Sequence, residues 1–339
     1  MKAYQLRAGD GVAGLQQVDI APPLPADHEV RVRIHAVSLN YRDLMFARGD
    51  YVNVPEQPLI PVGDGAGEVI AVGPAVTRFR PGDRVVNTYF PGWIDGAPTP
   101  EKLAHSYGAH IPGVLAEQFV AHEDALVSIP THLNYAEAAA LCCAGITAWN
   151  TLFVAGNLTP GATVLLLGTG GVSIWALQLA KAAGLRAIVT SSSDEKLERA
   201  RTLGADAVIN YRNVPEWQDE VRRLTDGRGV DLVVEVGGED TLTRSLAAAR
   251  MGGTVAVIGG VSGFGSPAIS TIGLIVSAQH LTGIFVGSRA MFEDLNRFVE
   301  VNRIRPVIDR IFPFAQAREA YEHLKAGRHF GKVVIGIGD

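Results

Sequence analysis

The stretch from Ser38 to Tyr51, SLNYRDLMFARGDY, gathers an amide, phenols, guanidinium groups and carboxylates within a few residues. Such a cluster could hold a metal ion, hold a substrate or close a turn. Asn40 could donate a hydrogen bond to a carbonyl oxygen, and Tyr51 could donate a hydrogen bond or a proton. The alternatives are that Asn40 caps the turn and that Tyr51 is a packed loop aromatic. Arg42 and Asp43 are interpreted as a charge pair that fixes a loop at a strand end.

A glycine-rich turn occurs within residues 164–184, VLLLGTGGVSIWALQLAKAAG, between an apolar run and a helical pattern. Gly168, Gly170 and Gly171 would let the backbone turn tightly and approach a pyrophosphate, and the helix N-terminus would face its negative charge. Ser173 replaces the third glycine of the G-x-G-x-x-G spacing and is small enough for close helix–strand packing. The motif predicts a dinucleotide site, and the alternative is an ordinary tight turn.

The residues after the second strand of this region predict which dinucleotide binds. An acidic residue there would bond the ribose 2′-OH and repel a 2′-phosphate. The sequence instead places Ser191 and Ser192 at the strand end and Lys196 in the next helical turn. Hydroxyls and a cation suit a phosphate, so we predict NADPH, with NADH possible; the alternative for Lys196 is a solvated surface lysine. Tyr211, ending the third strand, could lie along the adenosine or pack half-buried.

The elements that would position these residues show two kinds of pattern. Residues 30–36 alternate apolar and polar side chains, and further short strand patterns follow in the N-terminal part. A helix is predicted to begin at Asn134, which has Glu137 three residues on as in a capping box. Apolar strands then alternate with amphipathic helices, which predicts a parallel sheet covered on both faces. The tail, residues 329–337, is strand-like again and is predicted to rejoin the N-terminal domain.

We therefore predict an α/β protein with a Rossmann-type doubly wound parallel sheet and a β-rich catalytic domain. A chain of 339 residues exceeds the size that one hydrophobic core usually serves. The predicted boundaries are 1–128 for the catalytic domain, 129–287 for the nucleotide-binding domain and 288–339 for the return to the first domain.

Residues 91–113 show no periodicity of their own and are predicted to form a long loop of the kind that often covers a site. Tyr89, Phe90 and Trp93 stand at the start of this loop. They could wall an apolar substrate pocket for a planar ligand. The alternative is that these aromatic side chains are part of the core.

Bulk composition excludes several classes of partner. The chain has 30 basic and 35 acidic residues, for a net charge of −5, and no stretch concentrates Lys and Arg, so we predict no nucleic-acid partner. The N-terminus lacks a signal-type apolar run and no segment approaches the length of a membrane span, so no membrane partner is predicted. The only cysteines, Cys142 and Cys143, are neighbours and poorly placed for a structural disulfide, which favours the reducing cytoplasm.

Six stretches together resemble a known family over essentially the whole chain. They are LIPVGDGAGEVIAVG (59–73), RPGDRVV (80–86), CAGITAWNTL (143–152), GTGGV (168–172), LGADAVINY (203–211) and GKVV (331–334). The chain resembles the medium-chain dehydrogenase/reductase superfamily. The resemblance implies a GroES-like first domain and a homodimer joined through the edge of the nucleotide-binding sheet. The apolar stretch 271–287 could supply that edge or belong to the core.

In the zinc-dependent members of that superfamily, a Cys, a His-Glu pair and a later Cys form the catalytic site. The matching positions here hold Asn40, then Gly63 and Asp64, and only the later cysteine is kept, as Cys143. One thiolate and an amide do not satisfy zinc, so we predict no metal. The chain is similar instead to the zinc-independent quinone oxidoreductase branch, in which NYRD and a following RGxY, here residues 48–51, are familiar.

This resemblance implies an NADPH-dependent enzyme that transfers hydride to a small-molecule quinone or α,β-unsaturated carbonyl. Without a Lewis acid, hydrogen-bond donors must polarise the substrate oxygen, so Asn40 and Tyr51 are the predicted catalytic donors. Asp64 joins them as a residue that orients the nicotinamide side of the site or stabilises its own turn. The alternatives are an NAD(P)-dependent alcohol dehydrogenase, an enoyl-thioester reductase, or a non-catalytic cofactor-binding protein.

The resemblance also implies further cofactor contacts. Thr147 matches the family position beside the nicotinamide ring, and the alternative is a buried helix hydroxyl bonded to the preceding turn. Strand ends of an open α/β sheet border the ligand, which adds residues near the end of the fifth strand and beyond. The remaining predicted cofactor-binding residues are Val172, Gly259, Gly260, Val261, Phe285 and Lys332.

Overall fold

The structure is a computed structural model and describes residues 1–338. The chain divides into two compact units. The first contains residues 1–146 and those from 286 onward, and the second contains residues 147–285. The unit boundaries therefore follow residues 146 and 285, whereas the sequence predicts them after residues 128 and 287.

The strands and helices are numbered in chain order. The strands are β1 Lys2–Gln5, β2 Gln16–Asp19, β3 Glu29–Leu39, β4 Asp64–Val72, β5 Arg84–Asn87, β6 Gln118–His122, β7 Leu126–Ser128, β8 Thr163–Leu167, β9 Arg186–Ser191, β10 Ala207–Asn210, β11 Val230–Glu235, β12 Ala249–Val257, β13 His280–Gly283, β14 Ile308–Pro313 and β15 Lys332–Gly336. The helices are α1 Tyr41–Arg48, α2 Pro100–Leu103, α3 Tyr135–Ala139, α4 Ile146–Trp149, α5 Gly171–Ala182, α6 Asp194–Thr202, α7 Trp217–Leu224, α8 Leu242–Ala248, α9 Thr271–Ser277, α10 Arg289–Val301 and α11 Ala317–Lys325. None of the helices in residues 1–338 has the length and apolar character needed to cross a membrane.

A seven-stranded sheet organises the first unit. Its order is β14-β15-β3-β4-β5-β7, and β6 also pairs with β3. Strand β15 runs antiparallel to β3, with Val333 opposite Leu39, so the predicted return of the tail to the N-terminal sheet is confirmed. The predicted alternation is confirmed as well: Val30, Val32 and Ile34 of β3 are at most 2% exposed, whereas Arg31 between them is partly exposed and Arg33 is exposed.

A six-stranded parallel sheet organises the second unit, in the order β10-β9-β8-β11-β12-β13. Every strand pair in it is parallel. Strands β8 and β11 are buried along their whole length, as strands covered on both faces are. The predicted doubly wound Rossmann sheet is confirmed. The strand order reverses between β8 and β11, which places the topological switch point at the carboxyl end of β8.

The stretch after Asn40 is a helix and not the loop that the sequence predicts, but the charge pair of Arg42 and Asp43 is confirmed, because Arg42 Nη1 lies 3.5 Å from Asp43 Oδ1. Both lie in the first turn of α1, which begins directly after Asn40. The Asp43 carboxylate accepts the backbone N–H of Asn40 at 2.8 Å, which satisfies a donor at the helix start. Gly49 ends the helix with φ of 84°. The sequence carries the signals for both helix ends, namely Asn40 with Asp43 at the start and Gly49 at the end. The long strand pattern before them nevertheless favours a loop.

Two further predictions about local structure need correction. The long loop 91–113 contains the short helix α2, whose start is capped by the Thr99 side chain. The capping box at Asn134 and Glu137 is confirmed, but the helix it begins is not continuous. Helix α4 lies between two π-helical segments, Leu141–Gly145 and Asn150–Ala155. Strand β14 and helix α11 were not predicted.

Candidate active site and cofactor edge

Asn40 stands between the end of β3 and the start of α1, and its side chain is held from two sides. Its Nδ2 donates to Asp64 Oδ2 at 2.8 Å, and its Oδ1 accepts from Lys332 Nζ at 2.5 Å. The structure therefore brings the predicted catalytic residues Asn40 and Asp64 together. It adds Lys332, which the sequence assigns to the cofactor.

Asp64 begins β4 and is fully buried. Its Oδ2 also accepts the backbone N–H of Cys143 at 3.2 Å. Burial raises the pKa of the Asp64 carboxyl, and the ammonium of Lys332, 3.9 Å from Oδ2, opposes that shift together with the Asn40 amide. Because Asp64 is fully buried, its carboxylate contacts only protein groups, namely the Asn40 amide and the backbone N–H of Cys143.

Tyr51, the second predicted donor, is paired with Tyr89. Their hydroxyl oxygens are 3.2 Å apart. Burial raises the pKa of Tyr89 well above its ordinary value, so its hydroxyl keeps its proton. The guanidinium of Arg42 lies 5.3 Å from the Tyr51 ring centre and 4.9 Å from the Tyr89 ring centre, within cation–π range. Tyr51 is half-buried, so its hydroxyl is held by neighbours without being enclosed.

Arg42 connects α1 to the loop that carries Ser106 and Tyr107. Its Nη1 donates to Tyr107 O at 2.8 Å, and its Nη2 donates to Ser106 Oγ at 3.3 Å. Ser106 Oγ lies 2.9 Å from Nδ1 of His110, whose ring packs 5.6 Å from the Tyr51 ring. The predicted structural role of Arg42 fits these contacts. Sequence reasoning missed Ser106 and His110, for which the chain offers no motif.

The predicted pocket residues Tyr89, Phe90 and Trp93 are only 2%, 1% and 2% exposed. The rings of Tyr89 and Phe90 meet edge to face, with centroids 4.7 Å apart. Trp93 Nε1 donates to Gly96 O at 2.9 Å. These contacts fit the alternative interpretation, in which the three aromatic side chains are part of the core. Their place in a substrate pocket stays a prediction.

The glycine turn in the second unit has the geometry that the motif predicts. Gly168 follows β8 with φ of 74°, in the left-handed region that favours glycine. Gly170 is the N-cap of α5, whose first backbone N–H groups have no partner inside the helix and can bond an anion. Ser173 is 1% exposed and donates to Leu167 O at 2.6 Å, so it does permit close helix–strand packing.

The other predicted cofactor residues of the second unit follow the carboxyl ends of neighbouring parallel strands. Such ends share one edge of a sheet, which is where open α/β proteins bind ligands. Tyr211, Val261 and Phe285 are 42%, 60% and 48% exposed. The predicted cofactor residues at or after these strand ends are Gly168, Gly170, Gly171 and Val172 after β8, Ser191, Ser192 and Lys196 at or after the end of β9, Tyr211 after β10, Gly259, Gly260 and Val261 after β12, and Phe285 after β13.

Two residues assigned to the cofactor lie elsewhere. Thr147 belongs to α4 and is 3% exposed; its carbonyl oxygen accepts from Thr151 Oγ1 at 2.7 Å. Lys332 belongs to the first unit and is 3% exposed, with its ammonium on Asn40 and on Leu39 O. Their contacts with a cofactor stay predictions.

Comparisons with known proteins found family models and relatives that match both units of the chain. A family model described as alcohol dehydrogenase GroES-like domain matches residues 26–131, and one described as zinc-binding dehydrogenase matches residues 171–301. A zinc-type alcohol dehydrogenase-like protein of Schizosaccharomyces pombe is 44% identical, covering 91% of each chain. A quinone oxidoreductase of Pseudomonas aeruginosa is 33% identical over 98% of this chain and 99% of its own.

Solved structures share the whole architecture. An NAD-dependent alcohol dehydrogenase superposes with a TM-score of 0.91 and 35% identity, covering 100% of both chains. A mycobacterial protein complexed with NADPH superposes with a TM-score of 0.81 and 28% identity, covering 99% of both chains. Binding of a nicotinamide cofactor thus recurs among the structures similar to this chain.

The family description names zinc, but the residues of this chain do not fit it. At the matching positions, Asn40 offers an amide, Gly63 offers no side chain, and Asp64 lies beside the Lys332 ammonium. Cys143 is the one residue of the zinc-binding set that this chain keeps, and one thiolate does not satisfy zinc. Among the residues that the structure describes, no three His, Cys, Asp or Glu side chains are grouped so that they could hold a metal ion.

Proposed function

The chain belongs to the medium-chain dehydrogenase/reductase superfamily and is an oxidoreductase of that type, and we propose that it reduces a quinone or an α,β-unsaturated carbonyl with NADPH and without zinc. One observation supports this substrate class best. Where zinc-dependent relatives hold a metal ligand, this chain holds the amide of Asn40, fixed by Asp64 and Lys332. An amide N–H donates a hydrogen bond and cannot act as a strong Lewis acid.

A conjugated acceptor suits such a donor. When hydride adds to the electron-poor carbon of an enone or quinone, negative charge spreads onto oxygen as an enolate or hydroquinone anion. Preorganised donors stabilise that charge because they need no rearrangement as it develops. Asn40 Nδ2 and the Tyr51 hydroxyl are the donors we assign, with Tyr89 holding Tyr51 through their 3.2 Å hydroxyl contact.

The nicotinamide cofactor, when bound, supplies the hydride. In our proposal the turn at Gly168 and the start of α5 hold its pyrophosphate. Ser191, Ser192 and Lys196 hold the 2′-phosphate of NADPH, because hydroxyls and an ammonium favour that group and no carboxylate ends β9. The similarity to an NAD-dependent alcohol dehydrogenase makes NADH the alternative.

Lys196→Ala is expected to weaken NADPH binding by about tenfold and NADH binding by less than twofold, because only NADPH carries the phosphate that the ammonium would bond. Fluorescence titration of both cofactors measures the two dissociation constants. Arg201→Ala, in the last turn of the same helix, is the control and should change neither. Equal weakening of both cofactors would remove Lys196 from phosphate recognition.

The proposed function is tested by NADPH oxidation with metal-free protein and a panel of quinones, 2-enals, enones and saturated aldehydes. Turnover is expected for the conjugated acceptors and not for the saturated aldehydes, because the latter need stronger electrophilic help. Zinc content should be far below one ion per chain in active protein. Turnover confined to saturated aldehydes, or dependent on added zinc, would contradict the proposal.

The alternative with a specific observation in its favour is an alcohol dehydrogenase, since a relative 44% identical carries a zinc-type alcohol dehydrogenase-like name. Alcohol oxidation requires a base to accept the hydroxyl proton. The same panel run in reverse, with simple alcohols and NADP⁺ or NAD⁺, distinguishes this alternative from the reductase that we propose.

We also propose that the protein forms a homodimer through β13. This strand lies at the edge of the parallel sheet, where its backbone N–H and C=O groups can pair with another strand. The adjacent helix α9 exposes Ile272, Ile275 and Val276 to 66%, 69% and 67%. Exposed apolar side chains beside an open strand edge fit a second copy of the same edge, paired about a two-fold axis.

Ile275→Glu is expected to shift the protein from dimer to monomer, because it would bury an unpaired charge in the proposed contact. Light scattering during size-exclusion chromatography should give twice the chain mass of 36.0 kDa for the wild type and the chain mass for the variant. Val301→Glu, which changes another exposed apolar residue, is the control and should stay dimeric. A monomeric wild type would contradict the proposal.

A further inference from the structure

The ammonium of Lys332 lies behind the Asn40 side chain. Lys332 begins β15 and is 3% exposed. Its Nζ donates to the backbone oxygen of Leu39 at 2.8 Å and to Asn40 Oδ1 at 2.5 Å. An ammonium only donates hydrogen bonds, so the amide atom that faces it must be the oxygen.

The opposite side of the same amide faces Asp64. Asp64 Oδ2 accepts from Asn40 Nδ2 at 2.8 Å and from the backbone N–H of Cys143 at 3.2 Å. Because Oδ2 accepts two N–H groups, a proton taken up by this buried carboxyl would sit on Oδ1. In either protonation state the amide atom facing Oδ2 must be the nitrogen. Lys332 and Asp64 therefore specify the same orientation of Asn40, and a flipped amide would meet a donor with its N–H group and an acceptor with its oxygen.

The amide nitrogen keeps one hydrogen beyond the one it gives to Asp64. Within residues 1–338, Asp64 is the acceptor that Asn40 Nδ2 contacts. Asn40 is only half-buried, whereas Asp64 and Lys332 are buried, so Asn40 is the residue of the three that a ligand can reach. The second N–H is thus available to a ligand oxygen.

We propose that Lys332 and Asp64 are positioning residues that hold the second N–H of Asn40 for the oxygen of the acceptor. The inference rests on the proposed function, in which Asn40 stabilises charge on that oxygen. The hydrogen bond from Lys332 to Oδ1 also withdraws electron density from the amide, which strengthens its N–H donors, since linked hydrogen bonds polarise one another. The lysine thus acts through Asn40 and not on the cofactor phosphates.

The inference is tested by a double-mutant cycle with Lys332→Met and Asn40→Ala. Lys332→Met removes the ammonium but keeps most of the side-chain volume. It is expected to lower kcat for a quinone by about tenfold in the wild-type background and to leave kcat unchanged in the Asn40→Ala background, because a residue that acts through another loses its effect when that other is absent. The dissociation constant for NADPH should change by less than twofold.

Two further variants separate orientation from folding. Lys332→Gln keeps a donor without the charge and should recover part of the kcat lost in Lys332→Met. Lys325→Met, at an exposed lysine paired with Glu322, is the control and should not change kcat. If Lys332→Met does not fold, the same cycle is run with Asp64→Asn, which weakens the hold on the amide from its other side.

The outcomes of the cycle are distinct. Equal losses from Lys332→Met in both backgrounds would show that the lysine acts independently of Asn40 and would overturn the inference. Weaker NADPH binding with unchanged kcat would overturn it too and would assign Lys332 to the cofactor. Full activity of Asn40→Ala alone would overturn the inference and remove Asn40 as a donor, whereas a wild type that turns over no conjugated acceptor would contradict the proposed function itself.

Discussion

Asn40→Ala is expected to lower kcat/KM for conjugated acceptors by about 100-fold, the loss seen when one preorganised donor is removed from the site of developing negative charge. The substitution deletes the amide that Asp64 and Lys332 hold. NADPH binding should be unchanged, since the predicted phosphate contacts lie in the second unit. Steady-state kinetics with a quinone, together with a cofactor titration, give both quantities.

The structure provides a matched control for the position of Asn40 at a helix start. Asn134 is also an N-cap, and its side chain accepts the backbone N–H of Glu137 at 2.9 Å. Asn134→Ala should therefore lower the free energy of unfolding by about 1 kcal/mol and leave kcat/KM unchanged. Asn40→Ala should differ by lowering kcat/KM, because the amide of Asn40 is turned to Asp64 and Lys332, and it should also lower the free energy of unfolding, because these two buried groups lose a hydrogen-bond partner.

Unchanged kcat/KM in Asn40→Ala would mean that the amide serves only the buried network. The substrate oxygen would then be stabilised by other groups, and Tyr51→Phe would become the decisive variant. A loss confined to KM would instead indicate that Asn40 binds substrate and transition state equally.

The sequence predicts the fold well where local periodicity carries the information. Strand β3 shows its buried face through alternation, and the second unit shows its parallel sheet through apolar strands between amphipathic helices. The glycine turn lies within one strand–turn–helix unit, so its φ value and its helix start could be predicted from neighbouring residues. Each of these patterns can be recognised within a short stretch of sequence, although the strands of the sheet pair over longer separations.

The candidate site is different because its contacts join distant segments. Lys332 lies 292 residues from Asn40, and Arg42 lies 64 residues from Ser106. No spacing rule connects such pairs, so the sequence could name Asn40 but not the groups that orient it. The family resemblance supplied the position of Asn40, whereas the packing of β15 against β3 brings Lys332 to it.

Helix α1 shows how a neighbouring element can hide a short one. Only Asn40 separates the eight residues of α1 from an 11-residue strand, and Asn40 is the N-cap of the helix. The capping pattern of Asn40 with Asp43 and the terminating Gly49 were present in the sequence. The strand pattern before them favours a loop, so the sequence predicts the charge pair of Arg42 and Asp43 in a loop, whereas the structure has it in the first turn of the helix.

Arg42→Met is expected to lower the free energy of unfolding of the first unit by about 3–5 kcal/mol, as removal of one partner of a buried charge pair does. Arg42 is 8% exposed and Asp43 is 1% exposed. The substitution removes the donors to Tyr107 O and Ser106 Oγ and leaves the Asp43 carboxyl without its nearest cation. Urea unfolding of the wild type and the variant at one pH measures the difference.

The pH dependence of that difference has a defined sign. Burial raises the pKa of Asp43 to about 6, and Arg42 opposes the shift, so removing Arg42 should raise the pKa further. A carboxyl whose folded-state pKa lies above its unfolded value binds more protons when folded, and stability then falls as pH rises between the two values. The variant should therefore lose more stability relative to the wild type at pH 8 than at pH 5.

Arg48→Met is the matched control, because it removes an exposed arginine from the same helix. Arg48 pairs with Asp50 at 2.7 Å, but their side chains are 45% and 53% exposed, so water and salt screen the pair. Its loss should change the free energy of unfolding by less than about 1 kcal/mol, with little dependence on pH. Similar effects of both substitutions would mean that burial does not govern the Arg42 pair, and a larger loss at pH 5 than at pH 8 would assign the ionisation to a group other than Asp43.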